Sequence, residues 1–525
     1  MLATYLSVFV GIPRATTARR VVFGALVVCT ALLAGFSFQA LRSTGGSASR
    51  LAHHLPLLGV AGLAGLVFLA AATWLAWRYP EWAMPAVIIL APLRVGIALG
   101  SNTSNLLVPL YLLLIAVAIA EMVVRDRLVL PADWRPDPVR IALAVMIAVV
   151  GLSSLWVGQN YAGHAKAFGD ALIELFAFFL PFGVLYFVLY RYVSDARHLL
   201  RLLITFVGAG AALAVIGIVQ YPTHLIIVNR AGIEKALTLE HTFRANALFW
   251  DPNIFGRFLV LVMIVGTALL LTVRLRGTAL GRRYTLLLGG AVALAAVAFV
   301  VTFSRSSVVG LAVGALVLEM AWLGRRKGTI AVVVTVLVLA VGLAGITELR
   351  HHKGNPFKFD TTRGLNKLTG GRVYLVKTGI RMFKKRPLAG VGLAGFPLAY
   401  AHYRTTTAAV LSLRDSHTTV VTVAAEQGVI GLAAFAALLA TFFATTLRKR
   451  RFAGDRRLYL WQAALVACVL AVFMHSLTYN AFFEDPYMWA FMALASATAT
   501  RVVSAPSPQA EPALADPALP AASTG

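Results

Sequence analysis

Asp415-Ser416-His417 stands where a strongly basic stretch ends and an apolar run begins, Val420-Val421-Thr422-Val423-Ala424-Ala425-Glu426-Gln427-Gly428. A histidine at the mouth of an apolar helix is suited to accept a proton near neutral pH. Thirteen Lys and Arg lie between Arg350 and Arg414, opposed only by Glu348, Asp360 and, just beyond, Asp415. Such a setting calls for a polyanionic substrate, with His417 as general base and Asp415 beside it to offset the pull of the arginines on its pKa.

Further arginines stand where solvation is difficult. Arg305, in Thr302-Phe303-Ser304-Arg305-Ser306-Ser307, is wedged between two apolar runs with almost no loop to carry it into water. Ionisable residues so placed tend to face a polar cavity. Arg244 and Arg257 flank Trp250-Asp251-Pro252-Asn253, a turn and helix-start signal in which Asp251 and Asn253 read as caps. After Gly370-Gly371, the residues Val373, Val376, Ile380 and Phe383 recur at helical spacing, and Lys377, Arg381, Lys384 and Lys385 fall on the other side, up to Pro387. Arg372 falls on the apolar side of this predicted amphipathic helix, pointing inward. Guanidinium groups gathered from separate loops offer planar, bidentate, permanently charged donors, the chemistry of a phosphate site. Arg305 and Arg372 are expected at its centre, with Arg244, Arg257, Lys377, Arg381 and Asp415 as substrate-binding residues. No HExxH, acidic cluster or outer His pair at ligand spacing suggests a metal, and His351-His352, beside Lys353, reads as solvated. Neither a metal nor a cofactor is expected.

The elements that must position these groups are membrane helices. The chain has 525 residues, 59% hydrophobic and 13% charged, too little polar surface to clothe a water-soluble core. Apolar runs long enough to cross a bilayer are read at roughly 21–40, 55–77, 82–99, 106–124, 139–158, 168–190, 199–220, 254–273, 285–303, 306–323, 329–347, 418–446, 458–478 and 486–500. The weakest is 82–99, interrupted by Arg94 and bent by Pro85 and Pro92. The expected fold is an all-α polytopic membrane protein of about 12–14 transmembrane helices, with one large extracytoplasmic loop containing amphipathic helices. Short basic loops, among them Arg274/Arg276/Arg282/Arg283 and Arg325/Arg326/Lys327, share one side with both termini, and by the positive-inside rule that side is the cytoplasm. Much of the net charge of +26 is thus an orientation signal, and no nucleic-acid partner is expected. The first span reads as a retained signal anchor. Cys29 and Cys468 both sit in apolar runs, which excludes a disulfide framework. The chain divides into N-terminal helices (1–240), central helices with outer-face arginines (241–347), an extracytoplasmic catalytic loop (348–417), C-terminal helices (418–503) and a disordered cytoplasmic tail (504–525).

Taken in order, Ser304-Arg305-Ser306, Gly371-Arg372, Pro387-Leu388-Ala389-Gly390-Val391-Gly392-Leu393, Ser416-His417 and Glu426-Gln427-Gly428-Val429-Ile430-Gly431 resemble the core of the O-antigen ligase and polymerase superfamily, over roughly residues 240–480. Thr418 stands where that family often has an asparagine. The resemblance implies a metal-independent, multi-pass glycosyltransferase of the bacterial cytoplasmic membrane that takes a polyprenyl-diphosphate-linked glycan as donor. The acceptor would be a hydroxyl on a glycan, lipid or wall polymer. By the family's pattern His417 would take the acceptor's proton, while Arg305, Arg372 and Arg244 would hold the diphosphate.

Two other classes compete. A cationic cavity within many spans also suits a transporter or flippase of lipid-linked oligosaccharide, although the two halves show none of the matching interrupted helices that transporter repeats display. A peptidoglycan-polymerase-like enzyme would use an outer carboxylate, for which Glu484 and Asp485 are the available pair, ranked below His417.

Overall fold

The computed structural model describes residues 67–93, 95–99, 102–120, 137–157, 164–240, 242–274, 279–350, 372–404, 415–447 and 455–502. The expected first span with Cys29, the Gly370-Gly371 and His351-His352 pairs and the C-terminal tail lie outside them. The described chain is a helical bundle: α1 (Val67–Arg78), α2 (Pro80–Leu90), α3 (Val108–Ile119), α4 (Pro138–Ser153), α5 (His164–Glu174), α6 (Leu180–Tyr192), α7 (Ala196–Thr223) and α8 (Arg230–Glu240). It continues with α9 (Pro252–Arg274), α10 (Ala279–Val300), α11 (Arg305–Arg350), α12 (Arg372–Lys385), α13 (Phe396–Tyr403), α14 (Thr419–Thr446), α15 (Arg456–Ser476) and α16 (Pro486–Ala497). Eight helical stretches among the described residues are long and apolar enough to cross a membrane, and the protein is an all-α polytopic membrane protein.

Carboxylates set several helix starts by accepting the orphan N–H groups of the first turn. Asp195 Oδ1 accepts from Arg197 N (2.8 Å) and His198 N (2.9 Å) at α7, and Asp455 does the same at α15. Packing then sorts the helices: α11 lies along α15, α9 touches α10, α11 and α15, and α14 packs on α4 and α12.

One expected span needs correction. The 82–99 run is not one helix: α2 stops at Leu90, and Val95–Leu99 (β1) pairs antiparallel with Asn102–Leu106 (β2), Val95 facing Leu106 and Leu99 facing Asn102. Pro92 cannot continue the helix ladder, and the β-prone residues after Arg94 pair in its place. The 306–323 and 329–347 runs are separated as expected: within α11 the helix breaks at Gly324 (φ 75°, ψ 177°), where the span Arg305–Gly324 ends, a conformation open to glycine. The 168–190 run is found as one stretch, Ala167–Tyr192, in which α5 and α6 are continuous through a π-helical turn, Leu175–Phe179.

The feature that most shapes the site is a second break, inside α14. Gly428 has φ 64° and ψ −156°, and the freed backbone groups on either side of it bond to the segment Pro387–Gly392. Val391 N donates to Ala425 O (2.9 Å), Gly392 N to Glu426 O (2.8 Å) and Val429 N to Pro387 O (2.7 Å). Gly390 (φ 66°) and Gly392 (φ 95°) permit the approach: a Cβ on Gly390 would stand 2.3 Å from the Glu426 carbonyl carbon. The buried Glu426 side chain adds a bond from Phe396 N at the start of α13 (3.2 Å). This strap ties α12 and α13 to α14, and with them Arg372 to His417.

Candidate functional site

Four segments converge at one end of the bundle: the loop before α9, the turn before α11, the start of α12 with the start of α14, and the turn between α15 and α16. The first is fixed from within. Gln220 of α7 donates through Nε2 to Asn246 Oδ1 (3.0 Å) and accepts at Oε1 from Asn246 N (2.9 Å) and Ala247 N (2.8 Å). With its backbone so held, Arg244, 8% exposed, reaches across. Its Nε donates to Thr302 O (2.9 Å) and its Nη2 to Asn253 Oδ1 (2.8 Å). Burial lowers the Arg244 pKa, and Asp251 and Tyr479 oppose the shift, so the guanidinium stays charged.

Arg305 is the first residue of α11. Ser304 caps that helix, its Oγ accepting from Ser307 N (3.4 Å) and donating to Asn253 Oδ1 (3.0 Å). The half-buried guanidinium feels the charges of Arg244 and Arg372, both repulsive. Three cations therefore crowd the positive end of a helix dipole, an arrangement that favours an anion. Arg372, also half-buried, opens α12 and donates from Nη1 to Thr478 O (2.6 Å). Burial lowers its pKa and Arg244 adds to that, with Tyr479, Asp251 and Asp415 opposing.

The Asp415–Thr418 turn closes on itself. His417 adopts φ 58°, uncommon for a residue with a side chain. Its N–H donates to Asp415 Oδ1, and its Nδ1 lies 3.9 Å from the same oxygen. Ser416 Oγ bonds Thr422 Oγ1 (2.8 Å) and donates to Thr418 O (2.9 Å). The 477–480 turn then joins this base to the arginines. Thr418 Oγ1 donates to Leu477 O (3.1 Å), Thr419 Oγ1 to Asn480 Oδ1 (2.7 Å), and the carbonyl between those two residues receives Arg372.

The structure thus brings Arg244, Arg305, Arg372, Asp415 and His417 together. The other expected residues fare differently. Arg257, 2% exposed, forms a 2.7 Å ion pair through Nε with Asp485 Oδ2. Arg257 is thus turned into the packed interior rather than toward the other arginines, with Asp485 as its counter-ion and each charge buried against the other. Lys377 and Arg381 lie on the exposed face of α12, where Arg381 Nη1 donates to Arg404 O (3.4 Å). The helix is also rotated from the expected orientation. Its packed face is Leu375, Thr378, Gly379 and Met382, while Ile380 is 42% exposed and Val373, Val376 and Phe383 are half-exposed. Gly379 is the reason: a Cβ there would stand 2.6 Å from Val421 Cγ1 of α14, so that face permits the closest approach.

Sequence reasoning missed Tyr479, His475 and the second role of Asn253. The Tyr479 ring centroid lies 6.3 Å from His417 and 5.6 Å from His475, and His475 Nε2 is 3.0 Å from Ser306 Oγ. The available signal was His475 and Tyr479 one helical turn apart at the end of an apolar span. Asn253 read as a cap alone, yet its Oδ1 receives both Arg244 and Ser304. Among the described residues no three His, Cys, Asp or Glu side chains converge as a metal site would require.

Residues 290–436 match the family model described as O-antigen ligase. The matched range contains Arg305, Arg372, His417 and the Gly428 break, and leaves Arg244 and Tyr479 outside it. No curated protein matches the chain.

Proposed function

We propose that this chain, whose residues 290–436 match the O-antigen ligase family model, is a ligase/polymerase-like enzyme that joins a polyprenyl-diphosphate-linked glycan to an acceptor hydroxyl. The reaction takes place at the outer face of the cytoplasmic membrane, with both termini inside. The observation that carries the reading is Arg305: its charged neighbours are Arg244 and Arg372, a gathering of like charges that favours a bound anion. A diphosphate supplies that anion, and its negative charge grows as the glycosyl bond breaks. Preorganised guanidinium donors answer that growth, and they do so here in the place a divalent cation would take.

His417 takes the proton of the acceptor hydroxyl as its oxygen attacks the anomeric carbon, and Asp415 fixes the backbone that presents the imidazole. The electron pair of the broken bond leaves with the diphosphate lipid, so direct attack inverts the anomeric centre. Lys377 and Arg381, on the exposed face of α12, meet the glycan or the lipid headgroups around it.

Deleting the gene and analysing lipid-linked glycans tests the reading. Loss of polymer with lipid-linked single repeats accumulating identifies a polymerase, and full-length polymer retained on lipid identifies a ligase. Unchanged chain length with donor trapped on the cytoplasmic face overturns the assignment in favour of a flippase.

A further inference from the structure

We propose that the Tyr479 hydroxyl donates a hydrogen bond to the donor's diphosphate during transfer, which makes Tyr479 a catalytic residue beside the arginines. The inference rests on the functional reading above and adds to it a neutral donor placed between base and clamp.

Position is the first support. Tyr479 lies on the turn between α15 and α16, its N–H bonded to His475 O (3.0 Å). The neighbours of that turn are the residues the site is built on. Arg372 bonds the carbonyl just before Tyr479, and Thr418 and Thr419, directly after His417, bond Leu477 O and the Asn480 side chain. The ring is flanked by His475 at 5.6 Å and His417 at 6.3 Å. Among the described residues Tyr479 is the phenol that acts on both Arg244 and Arg372, and it is itself under the influence of Asp251, Arg257, Glu484 and Asp415.

Satisfaction is the second. Among the described residues the hydroxyl takes no hydrogen-bond partner, although the carbonyls, amides and hydroxyls around it are paired. The phenol is half-buried, so its O–H meets water until an acceptor oxygen of a bound ligand takes that water's place. Burial pushes the phenol pKa up, which keeps the group an O–H donor. An anionic or acceptor-only group would repel a diphosphate, whereas a neutral O–H adds to the guanidinium donors.

In the transfer, the acceptor oxygen bonds to the anomeric carbon and its proton passes to His417. The carbon–oxygen bond to the diphosphate breaks with its electron pair on the diphosphate oxygen. Tyr479 gives up no proton; its hydrogen bond shortens as that oxygen gains charge, a contribution realised mainly in the transition state.

The test compares Tyr479→Phe with wild type in the purified full-length chain, using lipid-linked glycan extracted from the deletion strain. Phenylalanine keeps the ring beside both histidines and removes only the hydroxyl. The expected result is a kcat lower by on the order of a hundredfold, the usual cost of one such donor, with donor KM within about threefold, as expected for an interaction gained in the transition state. Wild-type kcat in Tyr479→Phe overturns the inference alone. A wild-type chain that transfers no glycan and binds no undecaprenyl diphosphate overturns the functional reading and this inference with it. Should Tyr479→Phe fail to fold, 3-fluorotyrosine at position 479 gives an independent readout. Its fluorine resonance is expected to move on adding undecaprenyl diphosphate and to stay in place with undecaprenol; no movement with the diphosphate overturns the inference.

Discussion

Arg305 and Arg257 show how one residue type takes two fates. Arg257 is matched by Asp485 at 2.7 Å and buried, so it contributes to the fold, while Arg305 faces other cations and is left for a ligand. Removing a partner from a buried ion pair leaves an uncompensated charge and costs roughly 3–5 kcal/mol. Asp485→Asn is therefore expected to lower thermal stability sharply, as read by unfolding of the purified chain. Arg305→Lys and Arg372→Lys should instead fold normally and lose most transfer activity, because lysine keeps the charge but not the bidentate fork. Full activity in both lysine variants would remove the diphosphate clamp from consideration. His417→Ala should insert and still bind undecaprenyl diphosphate, with turnover reduced by roughly two to four orders of magnitude, the usual share of general-base catalysis. Wild-type turnover in that variant would dismiss His417 as the base.

At the scale of elements, the strap across the α14 break holds α12 against the rest of the site. The glycines of Pro387-Leu388-Ala389-Gly390-Val391-Gly392 are spaced by backbone contact: Gly390 meets the Glu426 carbonyl, Gly392 meets Val157, and Gly428 meets Leu388. A side chain forced into the left-handed region costs roughly 1–2 kcal/mol, and the clash adds to that. Gly390→Ala is expected to lower the melting temperature and abolish transfer. Gly289→Ala in α10, where a Cβ meets nothing within 4 Å, should be neutral or gain up to roughly 1 kcal/mol of helix propensity. Equal melting temperatures for the two variants would show that the strap does not set the site. On α12, Lys384 is exposed, so Lys384→Ala should keep transfer within about threefold of wild type, in contrast to Arg372→Lys on the same helix.

For the whole molecule, orientation decides whether the chemistry proposed here is possible, since base, arginines and diphosphate must share one aqueous face. By the parity of the basic loops residues 348–417 are expected outside, and helices α9, α11 and α15 bring Asn253, Ser304, Ser306 and His475 to one end of the bundle through direct side-chain contacts. A reporter fused near residue 360 is expected to be active only on the extracytoplasmic side. Activity confined to the cytoplasm would overturn both the orientation and the assignment of the site.

The sequence alone determined the membrane character of the chain, the positions of most long spans, and the candidacy of Arg244, Arg305, Arg372 and His417. Each of these follows from local quantities: the length of an apolar run, or a charged residue with no solvated loop to hold it. What lay beyond local reach was decided by tertiary contact. Arg257 and Asp485 looked as available as Arg305 until packing placed them 2.7 Å apart. The α12 apolar stripe Val373/Val376/Ile380/Phe383 was legible, but in a membrane protein such a stripe need not face the protein core, and the packed side was chosen by the missing Cβ of Gly379. The 82–99 run gave way to a hairpin because pairing between residues on either side of a turn is not visible as hydrophobic length. Tyr479 entered the site because the α15–α16 turn is bonded to both Arg372 and the residues after His417, a juxtaposition of residues 59 to 106 positions apart that no spacing along the chain encodes.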